Sequence, residues 1–146
     1  LSPDDEPGIQ DLCELWNANY RQQLGFVGAT LEFIQDAFES AENIPGGTLL
    51  LRYGSQPVAT IHVSRDDLET KTADIGMVSV HPDYRGRGLA RLMLRKALGI
   101  ALSHGLSPVY LSVNAENRSA VRLYLSEGFI EDKVMVCYTL TVASNT

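Results

Sequence analysis

The residues best suited to chemistry stand together in the run HPDYRGRGLARLML, residues 81–94. Gly86 and Gly88 precede an apolar helical pattern, and Arg85, Arg87 and Arg91 surround them. Glycines so placed permit a tight strand-to-helix turn and let a ligand approach the backbone, while the first turn of a helix directs unpaired N–H groups outward. A phosphate or pyrophosphate suits such a turn. The competing reading is a plain tight connection followed by a solvated basic helix face. Two familiar phosphate loops fail on spacing: Arg91 stands at the third glycine of GxGxxG, and GxxxxGK[ST] has no match.

The charge around this run is focused. The chain of 146 residues carries a net charge of -6, yet residues 81–96 hold Arg85, Arg87, Arg91, Arg95 and Lys96 against Asp83 alone. That balance argues against nucleic acid or an anionic membrane as partner and leaves room for a small polyanion. Cys13 and Cys137 show no CxxC spacing and no Cys/His cluster, which favours reduced core thiols in a cytoplasmic setting. No apolar run reaches the roughly 18 residues of a membrane span, and the first ten residues are acidic, unlike a signal peptide. The length and 45% apolar content fit one domain over residues 1–146. The start at Leu1 fits a domain excised from a longer or tandem protein.

The elements that must position the run can be read from period and punctuation. Asp4, Asp5, Glu6 and Pro7 open a helix with Ile9, Leu12, Cys13, Trp16 and Tyr20 at helical spacing. Thr30 caps a second, with Leu31, Ile34 and Phe38 on one face, ending before NIPGG at 43–47. TLLLRYG and PVATIHVS form a hairpin around Gly54, Ser55 and Gln56. TADIGMVSV (72–80) is a third strand stopped by Pro82, with Gly76 hinting at a bulge. Leu89 to Ala101 gives a helix closed at Gly105, and VYLSV (109–113) a buried strand. A short helix through Ala120, Leu123 and Tyr124 ends at Gly128, and FIEDKVMVCYTLTV supplies two final strands. The order ααβββαβαββ predicts an α/β (α+β) domain with a mixed sheet covered by helices.

Two segments carry a family resemblance. RGRGLA (85–90), directly after MVSVHP and heading a long helix, resembles the [QR]xxGx[GA] acyl-CoA pyrophosphate signature of the GNAT superfamily of N-acetyltransferases. LSVNAENRSAVRLYLSEGF (111–129) is similar to the family's LxVxxxNxxAxxLYxxxGF segment. The likeness is close over residues 72–130 and rests elsewhere on element order. It implies a GNAT-type, mostly antiparallel twisted sheet flanked by helices. The family usually opens with a strand, and here helix signals begin by Asp4, so that first strand is expected to be missing from this chain.

The resemblance also implies roles. Gly86 and the backbone amides of Arg87, Gly88, Leu89 and Ala90 would cradle the pyrophosphate of acetyl-CoA, with charge added by Arg85, Arg87 and Arg91. Val78 and Val80 would present backbone to the pantetheine arm, with Ser79 alternating to the other face, and the Val78 N–H would face the developing oxyanion. Tyr124 falls at the family's general acid for the departing thiolate, and Asn117 would cap its helix and bond the pantetheine. Asp74 stands where some members carry a catalytic carboxylate; His62, His81 and a proton-conducting water are its rivals as base. The structural readings are a buried Tyr124, an Asn117 that only caps, and a solvated Asp74.

The implied activity is acetyl transfer from acetyl-CoA to a primary amine by direct attack, with no metal. The acceptor is a small-molecule amine or the amine of a peptide or protein, and the acidic surface outside the loop suits a cationic one. Homodimerisation stays open. The alternative is a non-catalytic acyl-CoA-binding or interaction domain of a tandem protein.

Overall fold

The computed structural model describes residues 1–21, 28–136, 138 and 140. Residues 22–27 and Cys137 lie outside the described residues. The chain divides into two compact units, residues 1–112 and 113–146.

The first unit opens with helix α1 (Glu6–Tyr20). Asp5 caps it, accepting from Gly8 N at 3.0 Å, and Pro7 occupies the first turn, where its missing N–H costs nothing. Helix α2 (Leu31–Glu39) starts at the cap read from sequence: Thr30 Oγ1 accepts from Phe33 N at 3.1 Å. Ile9, Leu12, Cys13, Ala29 and Ile34 form one cluster between these elements, with Trp16, Phe38 and Met77 packed against it. Each fully buried aliphatic side chain of this kind is worth about 1.5–3 kcal/mol.

The sheet runs in the order β1-β2-β3-β4. Strands β1 (Asn43–Tyr53) and β2 (Gln56–Arg65) make the expected hairpin, and β2 pairs antiparallel with β3 (Ala73–Val80). Strand β1 begins five residues before the predicted Thr48. Asn43 already pairs with Ser64, and the Pro/Gly stretch between forms an irregularity within the strand instead of a separate loop. Gly47 makes this possible, since a Cβ there would stand 2.3 Å from the Val63 carbonyl oxygen. Strand β2 is an inner strand, buried at Val58–Ile61 and Val63, in contact with both α1 and α3 (Leu89–Ser103). Met93, Leu94, Ala97 and Ala101 supply the buried stripe of α3, and Gly105, at φ 67, follows its end.

Strand β4 (Val109–Leu111) runs parallel to β3 but is shorter than the five residues predicted, pairing only with Ala73–Ile75. Beyond Ile75, β3 continues for five residues with no neighbouring strand on that side among the described residues of this unit.

The second unit holds α4 (Arg118–Ser126), capped by Asn117 and followed by Gly128 at φ 96. The two strands predicted from FIEDKVMVCYTLTV do not form among the described residues. Their alternating pattern was a fair strand signal, but a strand exists only where a partner backbone takes its hydrogen bonds. Val134, Val136, Tyr138 and Leu140 are instead largely exposed. Among the described residues the architecture is an α/β fold with four α-helices and a mixed, mostly antiparallel four-stranded sheet. Among the described residues no helix is long and apolar enough to cross a membrane.

Candidate functional site

The expected binding loop is a tight turn in a backbone conformation that favours glycine. His81 ends β3 as the cap of a short 3-10 turn (Pro82–Tyr84), its Nδ1 accepting from Asp83 N at 3.1 Å, so this histidine belongs to the turn. Gly86 and Gly88 follow at φ 74 and φ 78, the left-handed region, and Gly88 caps α3 with no side-chain hydrogen bond. Chain neighbours aside, no atom of the described residues lies within 4 Å of where a Cβ would stand at either glycine. The backbone there is open on the outside, and the first N–H groups of α3, beginning at Leu89 and Ala90, have no side-chain cap. That is the local geometry of an anion cradle.

The arginines divide by what holds them. Arg85 turns back to β3, its Nε donating to the Val80 carbonyl at 3.1 Å. Arg87 lies over the Tyr84 ring, 5.0 Å from its centroid, and Nη2 donates to the Asp83 carbonyl at 3.4 Å. Tyr84 is itself braced by His81 edge-on at 5.6 Å and by Tyr53 of the hairpin at 6.0 Å. Arg91 is half-buried in the first turn of α3.

Strand β3 opens a second feature beside the loop. Between Thr60 and His62 of β2 the register slips: Thr60 faces Ser79, whereas His62 faces Gly76, so β3 carries one extra residue. The bulge contains Met77, at φ 52 the one non-glycine residue with positive φ among those described. Gly76, read from sequence as a bulge signal, is its immediate neighbour. The extra residue reverses which backbone groups face outward. Ala73 N bonds to the Pro108 carbonyl at 3.1 Å, so before the bulge the odd residues face β4. His81 N bonds to the Val58 carbonyl at 2.7 Å, so after it the odd residues face β2. Val78 and Val80 therefore direct their backbone to the edge that β4 leaves open, and Ser79 is buried on the other side.

Asp74 stands on the same strand, across from Ser64 and half-buried. Burial, with the Asp66 charge as a smaller cause, raises its carboxyl above the ordinary range. His62 is held by Thr48, Nδ1 to Oγ1 at 2.7 Å, and burial lowers its pKa, which keeps the imidazole neutral at pH 7. His104 sits at the end of α3 with Nδ1 2.9 Å from the Ile100 carbonyl, a place suited to the negative end of a helix.

In the second unit, Asn117 Oδ1 accepts from Ala120 N at 3.3 Å, the cap read from sequence. Tyr124 is buried, with Phe129 edge-on at 6.0 Å, and burial raises its phenol above the usual value. Two contacts on the first unit's site had no counterpart in the sequence reading. Tyr20 Oη donates to the Val78 carbonyl and Asn19 Nδ2 donates to Ser79 Oγ. Both residues were read only as part of a helix.

A family model described as the acetyltransferase (GNAT) family matches residues 9–129. Mycothiol acetyltransferase from Thermobispora bispora is 36% identical over 78 residues, 53% of this chain and 26% of that protein. N-acetylaspartate synthetase from Homo sapiens is 33% identical over 85 residues, 58% of this chain and 28% of that protein. The chain thus spans well under half the length of the curated relatives it matches. Among solved structures, an aminoglycoside acetyltransferase from an uncultured soil metagenomic sample, in complex with sisomicin, aligns at a TM-score of 0.75 with 14% identity, covering 98% of this chain and 93% of that one. The NatC complex bound to Gag peptide and CoA also aligns at 0.75, with 21% identity over 91% of this chain and 83% of that one. These structures share the fold.

Proposed function

This chain belongs to the acetyltransferase (GNAT) family, and on that premise we propose that it moves an acetyl group from acetyl-CoA to a primary amine by direct attack in a ternary complex. The observation that carries the reading is the pairing of an open strand edge at Val78 and Val80 with an open glycine turn at Gly86 and Gly88, all on one short stretch of chain. An extended amide-bearing arm suits the first, and a pyrophosphate suits the second.

Each residue then has a task. Gly86 and the amides of Arg87, Gly88, Leu89 and Ala90 hold the pyrophosphate, and Arg85, Arg87 and Arg91 add positive charge. Val78 N–H donates to the oxygen that gains charge as the amine adds to the thioester carbonyl. An amine of ordinary pKa near ten is only about one part in a thousand neutral at pH 7, so a base must remove its proton. Asp74 takes that role through a water, Asp being shorter than Glu; His62, neutral at pH 7, is the rival acceptor. Tyr124 returns a proton to the departing thiolate, and its raised pKa keeps it protonated for that purpose. Asn117 bonds the pantetheine as well as capping α4. No metal enters this scheme.

Relatives are named for an aminoglycoside, for N-acetylaspartate and, in one bacterial structure, for alanine of a ribosomal protein, so the family name leaves the acceptor open. The acidic charge outside residues 81–96 favours a cationic amine, on a small molecule or on a peptide.

The test is free-thiol release from acetyl-CoA across a panel of amines and peptides, preceded by thermal-shift comparison of acetyl-CoA with ATP and NAD. Stabilisation by acetyl-CoA and release with at least one amine are expected. Stabilisation by ATP or NAD but not acetyl-CoA would remove the reading. Binding without release from any amine would leave the non-catalytic acyl-CoA domain in its place.

A further inference from the structure

The bulge in β3 is a strained feature that α1 holds from two directions. A non-glycine residue in the left-handed region, as Met77 is, is strained and persists only where its surroundings over-determine it. One restraint is packing: the Met77 side chain lies against the cluster of Ile9, Leu12, Cys13 and Ile34. The other is polar and comes from the last turn of α1. Tyr20 Oη donates to the carbonyl of Val78, the residue after Met77, and Asn19 Nδ2 donates to the buried hydroxyl of Ser79. The Tyr20 ring itself packs against Trp16, with centroids 4.1 Å apart and the rings tilted by 33°. Asn19 Oδ1 also accepts from Arg85 Nη2 at 3.4 Å, and Arg85 Nε reaches the Val80 carbonyl, tying the glycine loop to the same network.

The consequence lies in the parity of the strand. With the extra residue at Met77, Val78 and Val80 face the open edge; a strand relaxed to regular geometry would put Met77 and Ser79 there instead. The Val78 and Val80 carbonyls on that edge are already taken by Tyr20 and Arg85, so the N–H groups of the same two residues are what the edge offers to an incoming carbonyl. We infer that Tyr20 and Asn19 are positioning residues for acetyl transfer, fixing the bulge so that the Val78 N–H faces the acyl oxygen. This rests on the acetyl-CoA reading above and adds residues to it that neither motif contains.

The experiment compares wild type with Tyr20→Phe, which removes one hydroxyl and keeps the ring on Trp16, and with Asn19→Ser as a second variant. Hydrogen exchange of the backbone amides, acetyl-CoA affinity by calorimetry, and turnover with hydroxylamine as probe acceptor are measured on each. Exchange should quicken at residues 77–80 relative to 73–75, affinity should hold within about two-fold, and kcat should fall about ten-fold, a fraction of what outright loss of an oxyanion donor costs. Unchanged exchange at 77–80 would overturn the role in holding the bulge. Quickened exchange with unchanged kcat, or a loss of affinity with kcat intact, would overturn the role in catalysis. A wild type that fails to bind acetyl-CoA would instead defeat the cosubstrate reading, and the exchange comparison would still decide whether Tyr20 and Asn19 hold the bulge.

Discussion

The carboxylate of Asp74 leans over Gly76, with Oδ2 3.9 Å from where a Cβ at that glycine would stand. Gly76 faces His62 across the β2–β3 pair, so the side chain missing at 76 leaves space between the two candidate bases. Asp74 has its pKa raised by burial and then by Asp66, so folding favours its protonated form. Its contribution to stability is present below the unfolded value and lost as pH rises through the folded value. Asp74→Asn should therefore melt above wild type at pH 7, with the gap closing as pH falls toward 4. If Asp74 is the base, the same variant loses about 10²-fold in kcat/KM. Wild type should then show an acid limb above the ordinary Asp range, and His62→Gln should retain it. A pH–rate profile in which only His62→Gln removes that limb would assign the base to His62.

Gly88→Ala tests the loop on two scales. Its φ of 78 strains any side chain, at about 1–2 kcal/mol of stability. Beyond its chain neighbours the methyl would meet no atom of the described residues within 4 Å, so under the proposed reading it would project toward the pyrophosphate. Urea denaturation should show the stability loss, and calorimetry should show acetyl-CoA affinity falling by more than its folded fraction explains. Full retention of affinity in the folded variant would count against the cradle.

Tyr124→Phe should bind acetyl-CoA like wild type and lose most turnover. Because burial raises the phenol above its usual value, the wild-type rate should show no loss from Tyr124 ionisation until pH exceeds the ordinary tyrosine range near 10. Unchanged turnover in the variant would remove Tyr124 from the mechanism.

Arg87→Ala should weaken acetyl-CoA binding by only about three- to five-fold, as expected for an exposed charge, while kcat stays level. Its guanidinium is stacked on Tyr84, so Tyr84→Ala should produce a similar loss by freeing Arg87. Titrations at low and high salt check both: the wild-type salt dependence should flatten in each variant.

What the sequence determined by itself was whatever a few neighbouring residues decide. Asp5, Thr30 and Asn117 start their helices because a side-chain oxygen meets an N–H three residues on, and Gly86 and Gly88 make the turn because they tolerate positive φ. The segments that resemble the family are local in the same sense, which is why the glycine turn and the helix after it were legible without coordinates. Gly76 gave a partial signal for the bulge next to it. Only the tertiary structure decided the rest, because those features depend on partners far away in the chain. FIEDKVMVCYTLTV reads as strand, yet its described residues form none, because a strand also needs a backbone to pair with. Which amides of β3 face outward turns on one extra residue at Met77, counted against β2 and held by α1. Tyr20 and Asn19 lie 58 and 60 residues before the carbonyl and hydroxyl they grip, a distance across which no local pattern could join them.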